Sequence, residues 1–456
     1  MKNYKTQLLI LSFIICNSIY SQHQVGHTTI SFIDQNRNNR SIETEIYYPA
    51  TIAGDNTTAI QDSFPVIVFG HGFVMKWDAY QNLWDEIVPR GYIMVFPRTE
   101  GSLFATNHQE FGWDLQFLVT AIQQEGANLS SQLYNVVATE SALMGHSMGG
   151  GAAFLAADSL SVNGNQNLKT LIGLAPAESS TNGVSSINSA LSITMPSVVF
   201  SGSQDGVTPA VDHHIPMYDS LASNCKTFIN VIGGAHCYFA NSNTNCDFGE
   251  STSSSGISIT RTEQHQVMFD FLNNWLDYTL KYDCNAFDSF NDSLNVSNRI
   301  TNNQICIANP IPVIVENLGT LTSSITGLNY VWYLDGSPIP NSNQVSIVAN
   351  QPGNYEVEVF FVNNCSETSS IHTILATSVQ SLGVESGFTF YPNPTSSIIT
   401  FTNVKQTELG LIKIYNTLGQ EAYPFQISSS EIDVSFLKKG IYFIQLEKSI
   451  QKLIIE

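Results

Sequence analysis

Two hydrophobic rhythms alternate between Thr28 and Tyr282. Short runs that are apolar throughout, PVIVFG (65–70), YIMVF (92–96), SALMG (141–145), LIGLA (171–175), PSVVFSG (196–202) and TFINVI (227–232), have the pattern of strands buried on both faces. Between them the apolar positions fall at helical spacing. Phe111, Leu115, Leu118, Val119 and Ile122 share one face, as do Met268, Phe271, Leu272, Trp275 and Thr279. Two earlier runs, TTISFID and TEIYYP, predict an antiparallel pair at the sheet edge. Strands alternating with helices make this an α/β unit over 22–282, a mostly parallel sheet of about eight strands with helices on both faces.

The rhythm changes after Tyr282. Helical periods vanish, Asn, Ser and Pro rise, and short alternating runs follow: IPVIVEN, YVWYLDG, QVSIVA and YEVEVFFV. They predict a small β-sandwich over 283–376. A linker at 377–384 leads to a third unit over 385–456, again all-β, with turns at Asn393-Pro394, Gly419 and Gly440.

The first 21 residues carry two lysines, an apolar run from Leu8 to Cys16 and small residues around Ser18 and Ser21, the layout of a secretory signal peptide. A membrane anchor needs about 20 apolar residues, and this run is half that, so no transmembrane segment is expected once the signal is removed. Ile15, where a lipoprotein would have a small residue, argues against lipidation of Cys16.

Six cysteines remain, an even number in an exported chain, which predicts three disulfides. Cys237 and Cys246 flank a short loop that their bridge would pin. Cys225 and Cys284 would tie the last strand of the α/β unit to its exit. Cys306, Trp332 and Cys365 stand in the order expected when an indole packs on an inter-sheet bridge. No cysteine or histidine cluster has structural-zinc spacing, so no metal is expected.

Charge narrows the partners. There are 38 acidic against 18 basic residues, a net of -20 at pH 7. Only twelve of the basic residues lie between Met1 and Val404. No basic face is available for nucleic acid or for an anionic membrane surface. The third unit, with six lysines against seven acids, is nearly neutral, so the acidity belongs to the first two. A monomer is the default expectation.

One constellation carries chemistry. Gly145-His146-Ser147-Met148-Gly149 follows the strand SALMG and precedes an Ala-rich helical run, the context of a G-x-S-x-G nucleophile elbow. A serine hydroxyl needs a base within hydrogen-bond reach and an acid to orient that base. On such a fold both come later in the chain, acid first. Asp205 lies just past the strand PSVVFSG and His236 just past TFINVI, so all three residues fall at carboxyl ends of parallel strands. Rival acids Asp212 and Asp219 sit farther from the strand. Rival bases His213 and His214 read as part of the same helix as Asp212, and His265 as a surface position. A tetrahedral intermediate also needs two amide donors. Met148 N–H, directly after the serine, is one; Phe73 N–H, in the His71-Gly72-Phe73 loop after PVIVFG, is the other. His71 itself is expected to be structural.

These residues carry a resemblance. Residues 22–282 are similar to α/β-hydrolases of the dienelactone hydrolase, chlorophyllase and bacterial cutinase group, which includes polyester hydrolases. The shared stretches are Gly72-Phe73, GHSMGGG at 145–151, SGSQDGVTPAVDHHIPMYDSL with Asp205, and GGAHCYFAN with His236. The resemblance implies carboxylic ester hydrolysis through a seryl acyl-enzyme without metal or organic cofactor, on an ester that can be polymeric. Gly72, His146 and Ala177 are the positions expected to line the substrate. Many polyester hydrolases of this group place a Tyr and a Trp where this chain has Phe73 and Ala177, so the aromatic clamp is half present. The stretch from Ala175 to Pro196 is short, small and polar, which predicts an open site without a helical cap.

The middle unit resembles the Ig-like modules of secreted bacterial proteins. The last resembles the C-terminal sorting domain of type IX secretion in Bacteroidetes, through Tyr391-Pro392-Asn393-Pro394-Thr395, Tyr415 with Leu418-Gly419, and Lys439-Gly440-Ile441-Tyr442-Phe443. That likeness implies passage through the secretion machinery to the medium or cell surface. Two other readings stay open from sequence: a surface adhesion protein with an idle hydrolase domain, and a peptidase or thioesterase on the same fold.

Overall fold

The computed structural model describes residues 23–179, 183–306, 309–361, 365–375, 388–447 and 449–456. The signal peptide expected at 1–21 and the linker expected at 377–384 lie outside the described residues. Among those described, no helix is long and apolar enough to cross a membrane.

The chain opens on β1 (Gln24–Asp34) and β2 (Arg40–Ala50), the antiparallel pair expected, with Thr28 opposite Ile46. β3 (Gly54–Asp55) adds a two-residue edge beside β1. Strands and helices then alternate: β4 (Phe64–Gly70), α1 (Gln81–Ile87), β5 (Ile93–Pro97), α2 (His108–Gly126), β6 (Val137–His146), α3 (Met148–Val162) and β7 (Leu168–Leu174). The alternation continues through α4 (Ser186–Ala190), β8 (Ser197–Gly202), α5 (His214–Ser220) and β9 (Cys225–Val231). Next come α6 (Thr244–Ser253), α7 (Arg261–Lys281) and α8 (Cys284–Val296), and β10 (Ile300–Cys306) returns antiparallel to β9.

These strands make one sheet, in the order β10-β9-β8-β7-β6-β4-β5-β2-β1-β3, with β4 to β9 parallel. The apolar runs predicted this sheet because every residue of β4, β5 and β8 is buried. Helices cover both faces. The apolar side of α2 packs with β4, β6 and α3 into one core, while α7 and α1 close the other. Local chemistry sets the helix limits. Asn107 caps α2 by accepting from Gln109 and Glu110 N–H, and Thr260 with Glu263 forms a capping box on α7. Trp275 of α7 is fully buried, and its Nε1–H donates to Thr170 Oγ1 of β7 (2.9 Å).

Ten strands stand where eight were expected, the additions being β3 and β10. The sheet therefore continues past Tyr282, and so do the helical periods expected to end there: α8 buries Ala286, Phe290 and Leu294 on one face, so the first strands of the all-β unit come only after β10. β10, with the sequence ITNNQIC, has a single neighbour and an exposed, polar middle, so it lacks the apolar signature of a buried strand.

The same strand corrects the cysteine pairing. Cys237–Cys246 forms as expected. Cys225, however, bonds Cys306, its direct neighbour across β9 and β10, not Cys284. Cys284 bonds Cys365, so the expected Cys306–Cys365 bridge is absent and the middle unit is tied to the α/β unit instead. Trp332 is buried as expected, but it packs in a core of Ile314, Leu321, Tyr330, Tyr355, Val357 and Val359, with Nε1–H donating to Gln344 O.

That middle unit has one three-stranded sheet (Ile314–Asn317, Thr320–Ser323, Ser346–Val348) and a second built on Asn329–Leu334 and Gly353–Phe360. The third unit is two three-stranded antiparallel sheets around Ile399, Phe401, Ile414, Ile444 and Leu453.

Candidate active site

Strand order reverses at β4, which lies between β6 and β5, so the carboxyl ends of β4 and β6 diverge at a topological switch point. Ser147 sits there, between β6 and α3. Its backbone holds φ 55° and ψ -123°, a conformation costly for a residue with a side chain and typical of a nucleophile turn. Two bonds stitch the turn to its surroundings: Ser147 N–H to Leu174 O (3.0 Å) and Ala177 N–H to Ser147 O (2.8 Å). The flanking glycines are required by contact. A Cβ on Gly145 would lie 2.2 Å from Gly149 O, and one on Gly149 would lie 2.1 Å from Gly70 backbone atoms.

Asp205 follows β8 and His236 follows β9. His236 Nδ1–H donates to Asp205 Oδ2 at 2.8 Å, with both side chains out of solvent. The other oxygen, Oδ1, accepts from Val207 and Thr208 N–H. Burial alone would raise the carboxyl pKa, but the charge of His236 and these hydrogen bonds hold it below its ordinary value. The loop bearing His236 is held at many points. Gln264 exchanges two 2.8 Å bonds with Ala235, and Glu250 accepts from Cys237 N–H. Arg261 donates to the carbonyls of Cys237 and Ala240, and Cys237 is bridged to Cys246.

The residue before Ser147, His146, meets the loop of His236. The His146 ring stands 4.8 Å from that of His236, and its Nε2–H donates to His236 O (3.0 Å). His146 was expected to face substrate. It is instead wholly buried, because Tyr80 Oη–H donates to its Nδ1 (2.9 Å) while Gly72 N–H donates to the same Oη (2.8 Å). Burial, then the charge of His236, pushes the His146 pKa well down, so the ring is neutral. One line of hydrogen bonds thus joins the loop after β4, the elbow and the loop after β9.

The donor loop is oriented from behind. Gly72 O accepts from Met75 N–H (3.0 Å) and lies 2.9 Å from His71 Nδ1, which turns the carbonyl inward. In a trans peptide the N–H points the opposite way, so Phe73 N–H faces away from that contact. His71 is buried between Gly72 O and Thr99 O, and burial lowers its pKa. Met148 is the first residue of α3, where N–H groups have no acceptor within the helix. Phe73 is half exposed, and Ala177 lies beside the elbow.

Between Ala175 and Pro196 the described residues hold only the five-residue α4. No apolar period announces α6, which begins inside what reads as a polar loop. Asn245 of α6 donates to Val74 O, beside Phe73 (2.9 Å), and Ser254 Oγ at its far end accepts from Gly206 N–H, beside Asp205. Sequence reasoning also missed Thr208 and Tyr80, and it set His214 aside as a helix residue. His213 and His214 do not share one environment, since His214 opens α5 in full burial while half-buried His213 accepts from Glu178 N–H.

A mostly parallel sheet covered on both faces, with a serine on a strained strand-to-helix turn at its carboxyl edge, defines an α/β-hydrolase. The sequence model of the PETase family, described as PET hydrolase-like, matches residues 23–286, which is more than half of the chain. The protein therefore belongs to the PET hydrolase-like family, and its activity class is ester hydrolysis. A secretion system C-terminal sorting domain matches residues 389–456, so the chain is exported by type IX secretion, to the medium or to the cell surface. No curated protein matches the chain.

Proposed function

We propose that the protein is a serine carboxylic ester hydrolase working through Ser147, His236 and Asp205, with polyesters among its substrates. Ser147 attacks the ester carbonyl, His236 takes its proton and returns it to the departing alcohol, and Asp205 fixes the imidazole tautomer. The amides of Phe73 and Met148 hold the oxyanion. Water activated by His236 then releases the acid. The observation that carries this reading is the buried His236–Asp205 pair on a loop bonded to the strained turn of Ser147. Asp205 below its ordinary pKa keeps the carboxylate charged wherever His236 serves as a base.

The polyester part rests on the family and on the site's rim, where half-exposed Phe73 keeps one aromatic wall and the described residues include no long cap after β7. We further read residues 1–21 as a signal peptide and the middle unit as an Ig-like accessory module, on a monomer. The test is hydrolysis of p-nitrophenyl acetate, butyrate, octanoate and palmitate, and of a polyester film, by wild type and Ser147→Ala. Loss of at least about 1,000-fold in kcat for the variant is expected. Equal activity in the two proteins would remove Ser147 from the mechanism. A folded wild type inert on every ester would favour a binding role.

A further inference from the structure

Behind the Asp205–His236 pair lies a line of buried polar groups that the reaction steps above leave unused. Thr208 Oγ1 stands 3.0 Å from Asp205 Oδ2, 2.8 Å from His236 Nδ1 and 3.0 Å from His214 Nε2. His214 is wholly buried in the first turn of α5, and its Nδ1 lies 2.8 Å from Ser201 Oγ of β8. Ser201 is wholly buried too.

One assignment of donors satisfies every contact with a neutral His214. In it the Thr208 hydroxyl gives its single proton to Asp205 Oδ2, since an ionised carboxylate only accepts. The same oxygen then accepts from His214, whose proton is on Nε2. Nδ1, left bare, accepts from Ser201 O–H. Burial keeps this imidazole neutral, with its pKa pushed down to about 3 in spite of Asp205 nearby. In this assignment the order Ser201, His214, Thr208, Asp205 runs one way, every proton pointing towards the carboxylate, and each bond polarises the next.

We propose that Thr208 and His214 are positioning residues for the proton-transfer pair, holding Asp205 in the orientation that offers Oδ2 to His236 and dispersing its negative charge. The inference rests on the Ser147, His236 and Asp205 reading and deepens it. Both residues are buried. Without the Thr208 hydroxyl, Oδ2 keeps His236 as its remaining side-chain donor and carries more charge. A more concentrated charge stabilises the His236 imidazolium, so the acid limb of the kcat profile moves to higher pH. His146, His213 and Arg261 also act on His236 or its loop, and substitution at 208 or 214 leaves them in place.

The test compares Thr208→Val, Thr208→Ser, His214→Leu, His214→Gln and the Thr208→Val/His214→Leu double variant in the full chain, with Ser147→Ala beside them. Each folded variant is followed for kcat, KM and the pH profile on p-nitrophenyl butyrate. Thr208→Val and His214→Leu are expected to lower kcat about tenfold, the worth of one charge-assisted hydrogen bond, with KM little changed. Thr208→Ser, and His214→Gln with its amide donor, should recover most of the rate. Because His214 meets Asp205 chiefly by way of Thr208, its own Nε2 lying 3.8 Å from Oδ2, the double variant should be little slower than Thr208→Val.

An inactive Ser147→Ala beside a Thr208→Val of full kcat and unmoved acid limb overturns the inference and spares the triad. Multiplying effects in the double variant also overturn it, since His214 would then act by another route. An active Ser147→Ala overturns the triad itself, and the inference with it. If His214→Leu fails to fold, the Thr208 pair decides alone, since valine replaces one oxygen by a methyl group.

Discussion

At the scale of the residue, the site is a set of backbone orientations fixed by buried side chains. Tyr80 is the clearest case, because one phenol oxygen accepts from the Gly72 amide and donates to His146, serving the loop after β4 and the elbow together. Tyr80→Phe leaves a buried N–H and a buried ring nitrogen without a partner. We expect a loss of about 1–3 kcal/mol in urea unfolding and a fall in kcat larger than any change in KM. An unchanged kcat in the phenylalanine variant would show that the two loops hold their places unaided.

What the sequence reveals at this scale follows from what a one-dimensional pattern contains. Ser147, Asp205 and His236 stand out because each directly follows a recognisable apolar strand, so placing all three at the carboxyl edge of the sheet needs only the fold class. Thr208 and His214 have no such signal. Two adjacent histidines after an aspartate look alike in sequence, yet the start of α5 turns one to the core and leaves the other at the rim.

Between residue and domain, α6 shows how an element can be ordered without an apolar face. Only Glu250 among its residues is buried. Its anchors are polar or covalent: the Asn243 cap, the Asp247–Arg261 ion pair, the Glu250 bonds to Cys237 and Ser254, and the Cys237–Cys246 bridge. Hydrophobic periodicity cannot announce such a helix. It cannot announce β10 either, whose pairing with β9 decided two of the three disulfides. Replacing Cys237 and Cys246 together by alanine should lower stability by about 2–3 kcal/mol, the effect of a short closed loop. Thermal inactivation of esterase activity should quicken accordingly, and an unaltered half-life would mean that the polar anchors alone suffice.

For the whole molecule, buried rings set the response to acid. His71, His146 and His214 are all held neutral by burial, their pKa values below the ordinary 6.5. Above that value neither folded nor unfolded chain protonates them, and they add no pH dependence. Below it the unfolded chain takes up protons that the folded chain refuses, and stability falls by up to about 1.4 kcal/mol per pH unit for each ring. Asp205 and Asp277 are held below the ordinary 3.8, so their contribution is lost only at still lower pH. The melting temperature should thus be flat between about pH 7 and 8 and decline below about 6.5. In His214→Gln the slope should be shallower by about one proton; an identical slope would mean that His214 titrates normally in the fold.

The corrected bridges also govern what a protease can release. A cut between Cys284 and Cys365 separates the backbone of the hydrolase from the rest of the chain, yet Cys284–Cys365 keeps the two fragments joined. They should migrate as one species on a gel until a reductant is added. A cut after Ile374 meets no such clasp, since the last of the six cysteines in the bridges is Cys365. Trimming at the C-terminal side therefore sheds the sorting domain outright, while the sandwich stays shackled to the enzyme for as long as its surroundings remain oxidising.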